Sequence, residues 1–226
     1  MKENDTTDNG SGARVPKQQR AWETQEKILI AALTAFSERG FDGTTIGRVA
    51  KRAGVGQALV TYHFPTKEDL WVAALEWTLG KFQNRLGPNL QALQGLEPAI
   101  RLKLIFQDFT RFCAEHPELL SLMIDGNRRG GPNLTRVVND TLRPTFELLR
   151  GLIEDAQRTG AMPAGDPGLI YYAMVAVSCM VFSLTREFEQ LTGRDPREPD
   201  MVEAQAALLG RLFFPGLADA DGAGGQ

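Results

Sequence analysis

At 226 residues and 42% hydrophobic content, the chain can hold one large domain or two small ones and is too apolar to be disordered over most of its length. No window approaches twenty uninterrupted apolar residues and the N-terminus has no apolar h-region, so neither a membrane span nor a secretory signal is expected; two cysteines far apart in sequence, each in an apolar pattern, fit a reducing cytoplasm. The net charge of −3 argues against a nucleic-acid partner until its distribution is read: residues 12–67 carry nine Lys/Arg against four Asp/Glu, whereas residues 68–226 carry fifteen against twenty-one.

Residues 1–19 are polar and without periodicity, which predicts a disordered arm bearing Arg14 and Lys17, with Arg20 at its end. Apolar residues then recur at helical spacing from Trp22 to Arg39 (Ile28, Leu29, Ala32, Leu33, Ala35, Phe36), and Gly40 supplies a stop. Thr44-Thr45 offer an N-cap for a short helix, Ile46 to Ala53, which Gly54 breaks. A third short helix runs from about Gly56 to His63 and ends at Pro65. Thr66 caps the next, with Asp69 at the capping-box position. Everything downstream reads as helix, over 67–86, 97–115, 117–128, 133–159, 166–192 and 199–213, broken at Gly and Pro clusters. From Gly216 the tail is expected to be disordered. The pattern predicts an all-α chain: an arm (1–19), a three-helix module (20–67), a larger helical domain (68–215) and a tail (216–226).

Two short helices joined by a tight Ala-Gly-Val turn, leaning on a longer preceding helix, make a helix-turn-helix. Helices of about eight residues are marginal alone, since isolated helices need roughly 12–15 residues, so the second and third must bury Val49, Ala50, Ala53, Val55, Val60 and Phe64 against the first. The opposite face of the third helix is then free: Gln57, Ala58, Thr61 and Tyr62, with no acid. Such a face suits a major groove about 12 Å wide.

These residues carry a resemblance. FDGTTIGRVAKRAGVGQALVTYHFPTKEDL is similar to the DNA-binding region of the TetR family of transcriptional repressors: Gly40-Phe41, Thr44-Thr45-Ile46, Val49-Ala50, Ala53-Gly54-Val55 and Tyr62-His63-Phe64-Pro65 followed by Lys67, in order, near the N-terminus of an all-helical chain. The resemblance implies a cytoplasmic homodimer that represses transcription from a palindromic operator in double-stranded DNA, with a variable helical domain that binds a small-molecule effector and then releases the DNA. It implies that Gln57, Ala58, Thr61 and Tyr62 meet bases or phosphates, that His63 and Lys67 hold the backbone, and that Thr44 and the amides opening the second helix meet a phosphate, with Arg48 adding charge beside it. Gly56 stands where Ser or Thr is usual, Gly47-Arg48 where an acid-containing pair is common, and Leu59-Val60-Thr61 where Thr-Leu-Tyr is more usual.

The larger domain is rich in aromatic and sulfur side chains, and cavities between helices are common ligand sites. Trp77, Phe106, Phe109, Met123, Phe146, Tyr171, Tyr172 and Met174 are the candidate pocket residues for a hydrophobic effector. The helix over 166–192 is apolar on nearly all sides through its first half, so something buries it. The last helix has a stripe of Val202, Ala206, Leu209 and Phe213. By resemblance these two helices form a dimer interface, with Val181 and Leu184 contributing. The alternative is a helical small-molecule-binding protein or enzyme without DNA binding. With two histidines and no Ser/His/acid set, phosphate loop or metal-ligand cluster, an enzyme lacks parts, and neither cofactor nor metal is expected.

Overall fold

The computed structural model describes residues 17–217, and among them every regular element is helical. Helix α1 (Lys17–Arg39) is nailed down by the expected stripe, with Ile28 and Ala32 wholly buried. It starts at Lys17, so the last three residues of the predicted arm form its first turn; the rest of the arm lies outside the described residues. Gly40, in the left-handed region at φ +67°, donates to the Phe36 carbonyl and turns the chain into α2 (Ile46–Ala53). Thr45 caps α2 by accepting from the Arg48 amide, Gly54 ends it at φ +69°, and α3 (Gln57–His63) follows with no side-chain cap. Thr66 and Asp69 form the capping box that opens α4 (Lys67–Ala92).

The body is built around α5 (Pro98–Glu115), which packs against α4, α8 (Arg143–Arg158), α9 (Pro167–Ser183) and α11 (Pro199–Phe213). Helix α6 (Glu118–Arg129) lies between α1, α4 and α9, and α7 (Pro132–Val137) touches α4. One hydrophobic core runs unbroken from Phe36 in the head through Trp71 and Phe106 to Leu209. A smaller cluster holds Cys113, Cys179, Phe182 and Val202. Both cysteines are free and buried, and burial beside the Cys179 thiol pushes the Cys113 thiol well up.

Three predicted boundaries move, each for a local reason. Helix α4 does not stop at Leu86 but continues through Gly87-Pro88 to Ala92; proline forfeits one i→i−4 bond, and at this exposed position water can satisfy the orphaned carbonyl. The single helix expected over 133–159 is interrupted by a π-helical segment, Val138–Leu142. Pro144 has no N–H to give there, the Arg143 amide reaches back to Val138, and Gln83 of α4 donates to the Thr141 carbonyl at 2.8 Å. The helix expected over 166–192 breaks at Leu184 into α9 and α10 (Thr185–Thr192), which meet at 72°. Ser183 donates to the carbonyls of Cys179 and Pro117, and Thr185 to that of Phe182, so two hydroxyls compete with the helix ladder at the corner. The tail expected to be disordered from Gly216 begins as packed chain. Leu217 lies on the core, and a Cβ on Gly216 would come within 2.9 Å of the Gly160 carbonyl oxygen. The remainder of the tail lies outside the described residues.

No single helix among the described residues is long and apolar enough to cross a membrane.

Candidate functional site

On α3 only Val60 is buried; Gln57, Ala58, Leu59, Thr61 and Tyr62 are exposed, Tyr62 to 80%. The His63 ring is half-buried, edge-on to Tyr62 at 5.3 Å and 6.1 Å from Phe64, whose side chain is in the core. Gln57 leans across to α2, where Gly47 leaves room for it: a Cβ at Gly47 would sit 3.1 Å from Gln57 Oε1. The Thr61 hydroxyl turns back to the Gln57 carbonyl at 3.1 Å. Arg48, Lys51 and Arg52 are exposed on α2, which carries no acid. Arg52 is shared with Glu38, while Arg48 reaches the Gly43 carbonyl only weakly, at 3.5 Å. The first-turn amides of Ile46 and Gly47 have no partner among the described residues, so the N-terminus of α2 presents free N–H donors next to these cations.

Two expected contact residues also bond within the protein, Thr44 entirely and Lys67 with one of its donors. Thr44 is 1% exposed; its hydroxyl is shared between the Ala35 and Gly40 carbonyls and its amide donates to Phe41. Its side chain closes the α1–α2 loop rather than meeting a phosphate. Lys67 spends one of its three N–H donors on the Phe41 carbonyl, at 2.9 Å, with its ammonium 4.3 Å above the Phe41 ring. It therefore ties the start of α4 to the same loop.

Phe41 is the point where body meets head. Its amide donates to Asp125 of α6 at 3.2 Å, and its ring stacks on Phe36 and lies under the Arg129 guanidinium at 3.7 Å. Arg129 also covers Trp71 of α4 at 4.5 Å and pairs with Asp125 at 3.5 Å. Gly126 lies flat against the same indole: a Cβ there would be 2.5 Å from Trp71 Cη2. Sequence reasoning passed over Asp125, Gly126 and Arg129. The available signals were the i,i+4 acid–base pair and a glycine inside a helix pattern.

The predicted pocket residues only partly converge. Tyr171 makes edge-to-face contacts with Phe146 at 5.1 Å and Phe106 at 6.3 Å, and Phe109 joins through Phe106 and Phe82, with Met174 buried nearby on α9. Burial, with Tyr172 beside it, pushes the Tyr171 hydroxyl up to about 12. Tyr172 meets the Tyr171 ring edge-on at 5.3 Å but is 69% exposed, on the solvent side of the cluster. Trp77 carries Lys81 over its ring at 3.7 Å, and Met123 packs on the core from α6; neither makes a ring contact with the cluster. An open cleft of about 580 Å³ lies elsewhere, between the end of α1, the start of α6 and the α9–α10 corner, lined among others by Ser37, Glu38, Pro117, Ser121, Leu184 and Arg186.

Most of the expected interface stripe is used within the protomer. Val202, Ala206 and Leu209 face α5 within the protomer, Leu209 at 0% exposure, and Phe213 and Val181 are half-buried. The uncovered apolar side of these helices is formed by Leu169, Tyr172, Met180 and Leu184 around α9 and by Leu208 and Leu212 on α11. Of the six expected residues, Leu184 alone is exposed.

Comparison with known proteins agrees with this layout. Residues 28–74 match the family described as bacterial regulatory proteins, tetR family, and residues 98–212 match the tetracyclin repressor-like C-terminal domain. The HTH-type transcriptional regulator RutR of Escherichia coli is 26% identical over 209 residues, covering 89% of this chain and 94% of RutR. CymR of Pseudomonas putida is 35% identical over 145 residues, covering 64% and 68% respectively. Among solved structures, AibR in complex with isovaleryl coenzyme A and operator DNA superposes with a TM-score of 0.67 at 16% identity, over 84% of this chain and 98% of AibR. With both halves of the fold matched, the chain belongs to the TetR family of bacterial transcriptional regulators.

Proposed function

We propose that the chain is a ligand-responsive repressor that binds a palindromic operator as a homodimer in the cytoplasm and is released by a small hydrophobic molecule. The observation that carries the reading is the acid-free outer face of α3, set beside the open N-terminus and exposed cations of α2. Bases face Gln57, Ala58, Thr61 and Tyr62, while the α2 amides, Arg48, His63 and the spare donors of Lys67 hold phosphates. Two heads on one rigid dimer must sit about 34–36 Å apart to meet successive major grooves. The exposed apolar side of α9 and α11 supports the dimer. An effector held among Phe106, Phe109, Phe146 and Tyr171 acts on α4 and α6, both of which grip Phe41. A ligand that prefers the body geometry with the wrong head spacing releases DNA by population shift. AibR, crystallised with an acyl coenzyme A and operator DNA, shows that this fold accommodates both kinds of partner in that protein.

Gel shifts with the DNA flanking the protein's own gene test the reading. Salt-sensitive binding to a palindrome there supports it, and its absence at low salt removes it. Within that assay, Lys67→Ala is expected to reduce the steepness of log affinity against log salt by about 0.9, the share of one phosphate contact. Thr44→Val is expected to leave that slope unchanged while lowering unfolding free energy by about 1–3 kcal/mol, because the Ala35 and Gly40 carbonyls lose this donor. Equal salt slopes for wild type and Lys67→Ala would take Lys67 off the phosphate.

A further inference from the structure

The reading face carries an apolar strip that hydrogen bonding to bases does not explain. With Val60 buried and 100° between successive residues, Ala58 and Tyr62 point furthest from the core. Leu59 lies beside them, on the flank away from Gln57 and α2, at 39% exposure and in none of the hydrophobic clusters. An isolated exposed leucine is ordinary on a protein surface. Here, however, it adjoins Ala58 and is three residues from Tyr62, on a helix without an acid and next to three exposed cations on α2. The cations and open amides select a polyanion. The apolar group that duplex DNA offers to a major-groove helix is the 5-methyl of thymine.

We propose that Leu59, together with Ala58, reads thymine methyl groups, making Leu59 a specificity-determining residue of the operator half-site. The inference rests on the DNA-binding reading above. It assigns to this helix a readout by apolar contact in addition to the hydrogen bonds that Gln57 offers. The position is tuned by its exposure: because Leu59 supports no core contact, its identity can change what is read without changing the fold of the head.

The test uses the full-length protein and a duplex selected by it from a random 30-base-pair pool at low salt. Each thymine of the selected duplex is then replaced in turn by deoxyuridine, which deletes the methyl and keeps the pairing. Affinity is expected to fall about fourfold at one or more positions of each half-site, the cost of exposing one methyl-sized group. In Leu59→Ala, whose unchanged circular dichroism melt shows the head intact, the penalty at one of those positions is expected to drop below about twofold while the others persist. Uracil penalties under twofold at every position, or identical penalty profiles for wild type and Leu59→Ala, overturn the proposal and leave DNA binding standing. Recovery of no duplex at all overturns both.

Discussion

A Leu208→Glu, Leu212→Glu chain is expected to sediment as a monomer and to lose operator affinity by about a thousandfold or more, with its thermal melt nearly unchanged. Both leucines are exposed on α11, four residues apart and so on one face, and α11 packs beside α9, which carries further uncovered apolar residues. An isologous interface repeats each side chain twice, so two substitutions place four carboxylates at one apolar contact. Specific operators are held at about 10⁻⁸–10⁻¹¹ M, and a single head keeps only its own share of that free energy, which sets the scale of the loss. The fold is spared because the inward stripe, Val202, Ala206 and Leu209, is untouched. Leu209→Glu is the control: a charge at a fully buried position on the same helix is expected to unfold the protomer. A double variant that remains dimeric by analytical ultracentrifugation and binds DNA as before would place the interface on another surface.

Gly126→Ala is the second large effect. The added Cβ lands 2.5 Å from an indole that is only 2% exposed and enclosed by the core, so the ring cannot step aside cheaply. Overpacking of this kind costs about 1–3 kcal/mol, and for a chain of this length each kcal/mol lowers the melting temperature by about 2–4 °C. The atoms in collision belong to the six-membered ring of Trp71, which phenylalanine lacks in that position. In a Trp71→Phe background the cost of Gly126→Ala is therefore expected to shrink by at least half, a non-additivity measurable by calorimetry. Equal costs in the two backgrounds would show that Trp71 is not what excludes a side chain at 126. Because Arg129 bridges Trp71 and Phe41, Gly126→Ala should also shift the head and weaken DNA binding even at temperatures where the protein is fully folded.

The head was legible because its boundaries are made by local chemistry. Thr45, Gly54, Thr66 and Asp69 act within a few residues of themselves, so the sequence shows their caps and stops directly. The inward turn of Thr44 and Lys67 was not legible, since both are drawn to the α1–α2 loop, and Lys67 reaches across 26 residues to Phe41. The π-helical segment depends on Gln83, 58 residues from the carbonyl it satisfies, and the α9–α10 corner on a hydroxyl bond to Pro117, 66 residues away. Periodicity identified the apolar stripe of α11 correctly but could not say that this stripe meets α5, leaving Leu208 and Leu212 uncovered. The candidate pocket suffered from a related ambiguity: large side chains mark a core and a cavity wall alike, and of Tyr171 and Tyr172, adjacent in sequence and in ring contact, one is largely buried and the other exposed.

The corner at Leu184 sets how far the apolar rod of α9 runs in the folded protein. Helix α9 is the most apolar element of the protein, and with α10 it has the length and composition of a bilayer-crossing segment. Drawn out straight, residues 167–192 would extend about 39 Å, beyond the roughly 30 Å of hydrocarbon in a membrane. The bend limits the apolar rod to 17 residues, or about 26 Å, and turns the charged continuation, Arg186, Glu187 and Glu189, sharply off its axis. The two hydroxyls that break the helix thus keep the folded protein from presenting one continuous apolar rod of membrane-spanning length.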